Sequence, residues 1–388
     1  MDGVWTKVTT QLTGARLVLS DCVAPGSVRL EGGAIAEVVE GAAPGSGAAE
    51  DLDGDYLIPG IVDIHTDHVE KHLVPRAHAP WDPLTAVMAH DAQIIASGTT
   101  TVFDSLSVGA SLKNPERREM LGPLLDALER ASAEGLLRAE HRVHLRCEIS
   151  DPETPDLVDA SVGRPLTRLM SVMDHAPGDR QSPDLQRWIS RSAAALDLSV
   201  EEATARADEL IARAREVGPA VRAHCAAAAA AHGLTLMSHD DATTEHVALA
   251  AAEGGGISEF PTTCVAARAA KAAGLLVAAG APNYLRGGSQ SGNVAVRELL
   301  QKGLVDLLAS DYVPRSPLDA AFGIAEDDGL GIGLPEAVAM ATRAPALAAG
   351  MADRGVIEAG MRADLVRVRR LDGRSWIRAV WRDGRRVV

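Results

Sequence analysis

The period of apolar positions changes twice along the chain. From about Trp5 to Leu57, short apolar runs such as ARLVLSD, GSVRLEGGAIAEVVEG and DLDGDYLIPG are broken by Gly, Asp and Pro, the pattern of strands joined by turns. Near the other end, GVIEAGMRADLVRVRR and WIRAVWRDGRRVV alternate apolar and polar residues in the same way. The two ends together predict one small β-sandwich domain built from residues 1–57 and 353–388. Between them, from 58 to 352, strand-like and helix-like stretches alternate, which argues for a parallel sheet with crossover helices.

Eight strands are expected in that middle part: Ile61–Ile64, Thr100–Asp104, Val143–Ile149, Arg168–Asp174, Leu234–Ser238, Ile257–Phe260, Leu275–Ala279 and Val305–Ser310. MLGPLLDALERA places Leu121, Leu125 and Leu128 on one helical face. SVEEATARADELIARAREVG opens with Ser199 and Glu202 at capping-box spacing, and an Ala-rich helix, AAAAAAHG, precedes the fifth strand. Eight strand–helix units predict an α/β chain folded as a (β/α)8 TIM barrel. The stretch from Pro177 to Ser199 reads as an insertion beside the barrel mouth.

Composition narrows the functions. Aromatic residues are only 3% of the 388, so the core must be built from Ala, Val, Leu and Ile. A formal net charge of −15 excludes a nonspecific nucleic-acid binder, which needs a basic footprint, but leaves room for an anionic small molecule held by local cations. Cys22, Cys147, Cys225 and Cys264 are scattered without a CxxC and read as reduced core residues. No leader-like or membrane-length apolar run is present, so the expectation is a cytoplasmic protein with no membrane partner.

Barrel enzymes carry their chemistry where strands end. The residues leaving the eight strands are His65, Asp67 and His68; Asp104; Glu148; Asp174 and His175; His239, Asp240 and Asp241; Glu259; Asn283; and Asp311. A lone His-x-Asp is usually a polar pair at a turn, but a ring of imidazoles and carboxylates is the N/O donor set of a divalent metal, with Zn expected and Mn or Fe compatible. His65 and Asp67 alternate in an extended segment and can face the same way. His175 and His239 follow apolar strands and are expected as imidazole ligands. Glu148 needs a partner in its apolar strand: a metal, or failing that Arg146 or Arg142. His144 reads as a core or outer residue. Asp240 and Asp241 are expected to orient a ligating His from behind, with a helix-cap role shared with Thr243 as the alternative for Asp241.

The loop YLRGGSQSGN follows the seventh strand, where barrels commonly bind phosphate. Gly287 and Gly288 would let backbone N–H groups approach an anion, and Ser289, Ser291 and Asn293 can donate hydrogen bonds. Arg286 can grip a phosphate in two-point fashion. Lys71 and Arg76 are the other preferred cations, ahead of His72, Arg180 and Arg315. His90 and Asp91 read as helix packing or outer residues. His78, His141 and His246 lack a supporting constellation, and His224, His232 and Cys225 belong to the Ala-rich helix.

IPGIVDIHTD, GTTTVFD, LASD and GVIEAGMRADLV together resemble the amidohydrolase superfamily over nearly the whole chain. HTDHVEKHLVPR, AHDAQ, HLRCEIS, MDHAPGDRQ, SHDDAT, SEFPTT, GAPNYLRGGSQSGN and LASDYVP are similar to its carbon–phosphorus lyase branch, the α-D-ribose 1-methylphosphonate 5-triphosphate diphosphatases. The resemblance implies a divalent-metal hydrolase that cleaves a phosphoanhydride and releases pyrophosphate. It implies Glu148 as a bridging ligand and Asp311 as the ligand that takes a proton from the attacking water, with His239 beside it. Dimers are common among such barrels. A deaminase or cyclic-amide hydrolase on a phosphorylated small molecule is the alternative on this scaffold; intact Asp311 and Glu148 argue against a noncatalytic binding protein. Two positions depart from the branch: His68 stands where Asn is usual, and Gln290 where His is more frequent. His68 is expected to lie behind the ligands.

Overall fold

The computed structural model describes residues 9–41, 49–76, 79–110, 117–289 and 291–388. Five strands come first: β1 (Thr10–Val18), β2 (Val23–Glu31), β3 (Ala34–Glu40), β4 (Ala49–Asp51) and β5 (Tyr56–Pro59). Eight follow in the middle: β6 (Ile61–Thr66), β7 (Thr99–Val108), β8 (Glu140–Glu148), β9 (Thr167–Met173), β10 (Thr235–His239), β11 (Ile257–Glu259), β12 (Leu276–Gly280) and β13 (Leu307–Ala309). The last three are β14 (Leu365–Leu371), β15 (Arg374–Arg382) and β16 (Arg385–Arg386).

The middle eight pair in sequence order, all parallel, as the alternating pattern requires. Each expected strand is present. The barrel is nearly closed: β6 and β13 touch through one bridge, Thr66 with Asp311. Elsewhere in the seam the chain between the helices Leu334–Ala339 and Arg343–Ala348 substitutes for a ladder. Val62 N donates to Ala341 O at 3.0 Å, and Leu308 N to Met340 O at 2.8 Å.

The strands from the two ends form one hydrogen-bonded sheet in the order β16-β15-β14-β5-β1-β2-β3, with β4 also on β1. β1 is parallel to β4 and β5; the other pairs are antiparallel. One face buries Leu12, Leu17, Val28, Leu57, Leu365 and Trp381 in a core of its own. The other presents Ile58, Val366 and Val380 to barrel residues Ile94, Val102, Leu318 and Phe322, which fixes the sheet against the barrel wall.

Leu121, Leu125 and Leu128 are buried on the helix Arg117–Ala133, as their spacing predicts. Ser199 and Glu202 make the full capping box. The two helices expected before β10 are one, Val200–His232, continuing through Pro219 and ending at Gly233 with φ 64°. Proline forfeits one helical hydrogen bond, which the long Ala-rich segment after it outweighs. The insertion from Pro177 carries a further helix, Leu185–Leu196. No disulfide forms, but the cysteines are not uniformly core: Cys147 and Cys225 are buried, Cys264 is partly buried and Cys22 is exposed in the turn between β1 and β2. Among the described residues no helix is long and apolar enough to cross a membrane.

Candidate active site

The strands end on one rim, and their last residues converge there. Three of them leave their strands in the left-handed backbone region: Asp240 (φ 55°) after β10, Phe260 (φ 54°) after β11 and Asp311 (φ 54°) after β13. Such a conformation costs roughly 1–3 kcal/mol for a residue with a side chain. Hydrogen bonds hold it in place, Asp240 N to Glu259 O at 2.8 Å, Phe260 N to Ala278 O at 2.8 Å and Asp311 N to His65 O at 2.9 Å. The turn at Asp311 also receives Asp67 N at 3.1 Å, so the ends of β6 and β13 are tied directly together.

Glu259 is the hub. Its Oε1 lies 2.6 Å from His65 Nδ1 and its Oε2 2.6 Å from His239 Nδ1, all three side chains being buried. Burial penalises the carboxylate charge, yet His65, His144 and the two hydrogen bonds outweigh it and hold Glu259 well below the ordinary range. An ionised carboxylate only accepts, so both rings donate from Nδ1, which leaves Nε2 as the nitrogen that could face a metal. The two rings stack 5.7 Å apart, and the edge of Phe260 packs on both. The strand-end pattern located Glu259 but attached no role to it.

His239 Nε2 is 3.3 Å from Asp240 Oδ2, a buried oxygen with no hydrogen-bond partner. Burial pulls the His239 pKa down, but Asp240 and Glu259 more than compensate and raise it. Ligand atoms of His175, His239 and Asp240 all lie within 4.8 Å of one another, and so do those of His65, His239 and Glu259. These are donor sets a divalent metal fits, and a buried Asp240 oxygen with no hydrogen-bond partner is an atom such an ion would satisfy. Glu148 pairs with neither Arg146 nor Arg142. Its Oε2 accepts from His175 Nδ1 at 2.7 Å and its Oε1 from Ser150 Oγ at 2.8 Å, so it orients His175. Burial is again outweighed, by His175 first, and the Glu148 pKa falls.

Above these groups opens a cavity of about 330 Å³ whose wall includes Asp67, Arg146, His239, Asp240 and Asp311. Asp311 is pushed up to about 6 by burial, with the Asp67 charge adding to it. Arg146, on β8, is buried; its Nη1 is 3.7 Å from Asp67 Oδ2, and neither Nε nor Nη1 has a hydrogen-bond partner. Sequence reasoning treated it only as a possible companion of Glu148. Its position in an alternating strand carried no signal of what it would face. His144 is an interior residue: its Nδ1 reaches Ile64 O at 3.2 Å, and burial lowers its pKa to about 3.

The expected substrate residues divide. Asn283, Gly288, Ser289, Ser291 and Asn293 line the cavity. The Asn283 amide staples the loop, donating to Val294 O at 3.1 Å and accepting from Val296 N at 3.0 Å. Gly287 is the left-handed cap (φ 76°) of the helix Ala281–Arg286. Lys71 and Arg286 meet at Tyr312 on the rim: Arg286 Nη1 donates to its hydroxyl at 3.1 Å, and Lys71 Nζ sits 5.7 Å over its ring and 3.9 Å from Asp67 Oδ1. Arg76 is exposed and absent from the cavity wall. Gln290 and His78 lie outside the described residues.

Three polar residues near the site have structural roles instead. Arg180 is buried and donates to His239 O at 3.0 Å and Asp241 Oδ1 at 2.8 Å. Asp241 is filled by that arginine, Ser238 and Ser258, while Thr243 alone caps the following helix. Arg315 pairs with Asp319 and donates to Ser375 O in the terminal sheet. His141 does have a constellation. It bridges Asp104 (2.7 Å) and Asp91 (3.4 Å), and His90 binds the other oxygen of Asp104 at 2.8 Å.

Residues 186–388 match the Amidohydrolase family. The chain is 41% identical over 378 residues to the α-D-ribose 1-methylphosphonate 5-triphosphate diphosphatase of Escherichia coli K12, covering 97% of this chain and 99% of that protein. The chain belongs to the amidohydrolase family. Its barrel and terminal sheet are those of solved amidohydrolase-type structures at low identity. The 5-methylcytosine deaminase of Klebsiella pneumoniae superposes with TM-score 0.65 at 15% identity, with 98% of each chain covered. The N-isopropylammelide isopropylaminohydrolase of Burkholderia multivorans gives 0.64 at 17%, again over 98% of each. At such identity the likeness speaks to the fold alone. As an amidohydrolase the chain is a hydrolase, and the clusters of His, Asp and Glu at the barrel rim accord with a metal-dependent one.

Proposed function

We propose that this amidohydrolase hydrolyses α-D-ribose 1-methylphosphonate 5-triphosphate, releasing pyrophosphate and leaving the 5-phosphate. The observation that carries the reading is the 41% identity, over nearly the full length of both chains, to a diphosphatase of that name. The buried Arg146 with its unpaired N–H groups beside the carboxylates supports it, since such a cation suits an anionic substrate. A cavity of about 330 Å³ is in the range for a small ligand.

We assign His65, Asp67, Glu148, His175, His239 and Asp311 to holding and orienting a divalent cation, with Asp240 joining them as a ligand. Imidazole and carboxylate donors suit Zn²⁺. When bound, the cation polarises a phosphoryl oxygen and makes water acidic enough to react near neutral pH. Asp311, on the cavity wall, takes the proton from the water that attacks the phosphorus nearest the ribose. The bond from that phosphorus to the bridging oxygen breaks, and pyrophosphate carries the electron pair away. Arg146 neutralises charge on the reacting phosphoryl group. Lys71, Arg286, Ser289, Ser291 and Asn293 hold the departing pyrophosphate. Glu259 and Glu148 keep the imidazoles in the right tautomer. The four unpaired thiols accord with a reducing, cytoplasmic setting.

Zinc-loaded protein incubated with the triphosphate should release one pyrophosphate per turnover, read by ion chromatography. If neither that triphosphate nor any nucleoside triphosphate yields pyrophosphate, while a cyclic amide is opened or ammonia appears, the proposal is wrong.

A further inference from the structure

Beside the short helix that follows β6, three more imidazoles converge. His68 follows Asp67, and His72 lies four residues on, the spacing that puts two side chains on one helical face. The short helix Val69–Leu73 carries them against the helix Pro83–Ala96, which contributes His90. Ring centroids are 5.1 Å apart for His68 and His72, 5.6 Å for His72 and His90, and 6.0 Å for His68 and His90. One ring nitrogen from each lies within 4.8 Å of the other two. None of the three lines the barrel-mouth cavity.

Neighbouring groups occupy one nitrogen of two of these rings. His90 is fully buried, and its Nε2 meets Asp104 Oδ1 at 2.8 Å. The other oxygen of Asp104 meets His141 Nδ1 at 2.7 Å. With Nε2 turned to Asp104, Nδ1 is the ring nitrogen of His90 left over. That atom is buried and has no hydrogen-bond partner, and His68 Nδ1 is in the same condition. His72 Nε2 rests 3.1 Å from Gln93 Oε1, on the same helix as His90. Two orphaned buried nitrogens in one cluster are hard to explain as packing, because buried polar atoms nearly always find a partner. Lys71, between the two histidines in sequence, turns instead to Asp67 and Tyr312.

We propose that His68, His72 and His90 form a second transition-metal site, separate from the barrel mouth, that takes Zn²⁺ or a cation of similar preference. Three imidazoles are a ligand set such ions favour over Mg²⁺ or Ca²⁺. Asp104 backs His90 as Glu259 backs His65 and His239. A carboxylate behind a ligating histidine fixes its tautomer and strengthens the ligand. The ion would clamp the helix that follows His65 and Asp67 onto the barrel's second helix. The site gives the departure at His68 a chemical role.

The test is metal stoichiometry and affinity on the full-length chain, stripped with a chelator and titrated with Zn²⁺ or Co²⁺ against a competing chromophoric chelator. The variants are His72→Ala, His68→Ala and, as a control, His224→Ala, whose histidine pairs with Asp159 elsewhere. Wild type and H224A should bind one more equivalent than H72A and H68A, and the Co²⁺ visible absorption of that equivalent should vanish with it. Residual binding to the two-histidine remnant should be at least tenfold weaker. The difference between variants is read whether or not the barrel mouth takes metal or the protein turns over any substrate. H72A removes a half-buried ring outside the Asp104 network, and circular dichroism verifies its fold. Equal stoichiometry and affinity in wild type and H72A would overturn the proposal.

Discussion

Replacing Glu259 by Gln tests how the active site is held together. The carboxylate accepts one hydrogen bond from each of two buried imidazoles, both at 2.6 Å. Gln is nearly the same size, so packing is conserved, but it has one acceptor oxygen and one NH2 group. One histidine keeps its partner. The other faces a donor and must either lose its bond or move its proton from Nδ1 to Nε2, which blocks the nitrogen a metal needs. A charge-assisted hydrogen bond contributes roughly 1.5–3 kcal/mol, and losing the carboxylate behind a ligating histidine typically weakens metal binding by about 10–100-fold. The expected result for E259Q is therefore a metal Kd raised by about 10–100-fold, or roughly 1.4–2.8 kcal/mol. Activity should return when excess Zn²⁺ is supplied. Glu259→Asp, one methylene shorter, reaches one ring but not both and should fall between. Chelator competition gives the Kd, and pyrophosphate release against free Zn²⁺ gives the activity. Thermal unfolding of the metal-free proteins shows whether the fold survives. If E259Q folds, binds metal within threefold of wild type and works equally well at limiting Zn²⁺, Glu259 does not hold the ligands in the way argued.

Arg146→Gln should lower kcat/KM for pyrophosphate release by about 10–150-fold, the value of one charge-assisted contact to a phosphoryl oxygen, with metal content unchanged. A change under threefold would remove Arg146 from the substrate site. Asp311→Asn should reduce kcat by roughly 10²–10⁴-fold, the usual reach of a general base, measured at saturating metal; near-wild-type turnover would move the proton acceptor elsewhere. His141 is raised to about 9 because Asp104 and Asp91 outweigh burial. Its folded pKa thus exceeds the unfolded value near 6.5, so its contribution is full below about pH 6.5 and disappears as pH rises through 9. Urea unfolding should show wild type losing up to about 3 kcal/mol over that interval, and His141→Gln much less; parallel curves would refute the assignment.

The barrel was legible because its signal is local. A strand buried on both faces is a short apolar run whatever lies beside it, and the group that leaves it must meet solvent or a ligand. Hence His65, Asp67, His175, His239 and Asp311 could be found by counting strands. What each group bonds to is not local. Glu259 lies 194 residues from His65 in sequence, and only closure of the barrel puts them 2.6 Å apart. His141 looked isolated because its partners, Asp91 and Asp104, belong to a different helix and a different strand. Arg146 and Arg180 are both charged residues near the rim. One faces the cavity with Nε and Nη1 free of hydrogen-bond partners, and the other is consumed by Asp241 and a backbone carbonyl. Residue type and spacing do not separate them; burial and direction do. The same holds for His68. One position past Asp67 on an extended strand its side chain would point to the opposite face. The chain has begun to turn there, with His68 at φ −77°, ψ −25°, and the short helix that starts at this point brings its ring beside His72 and His90.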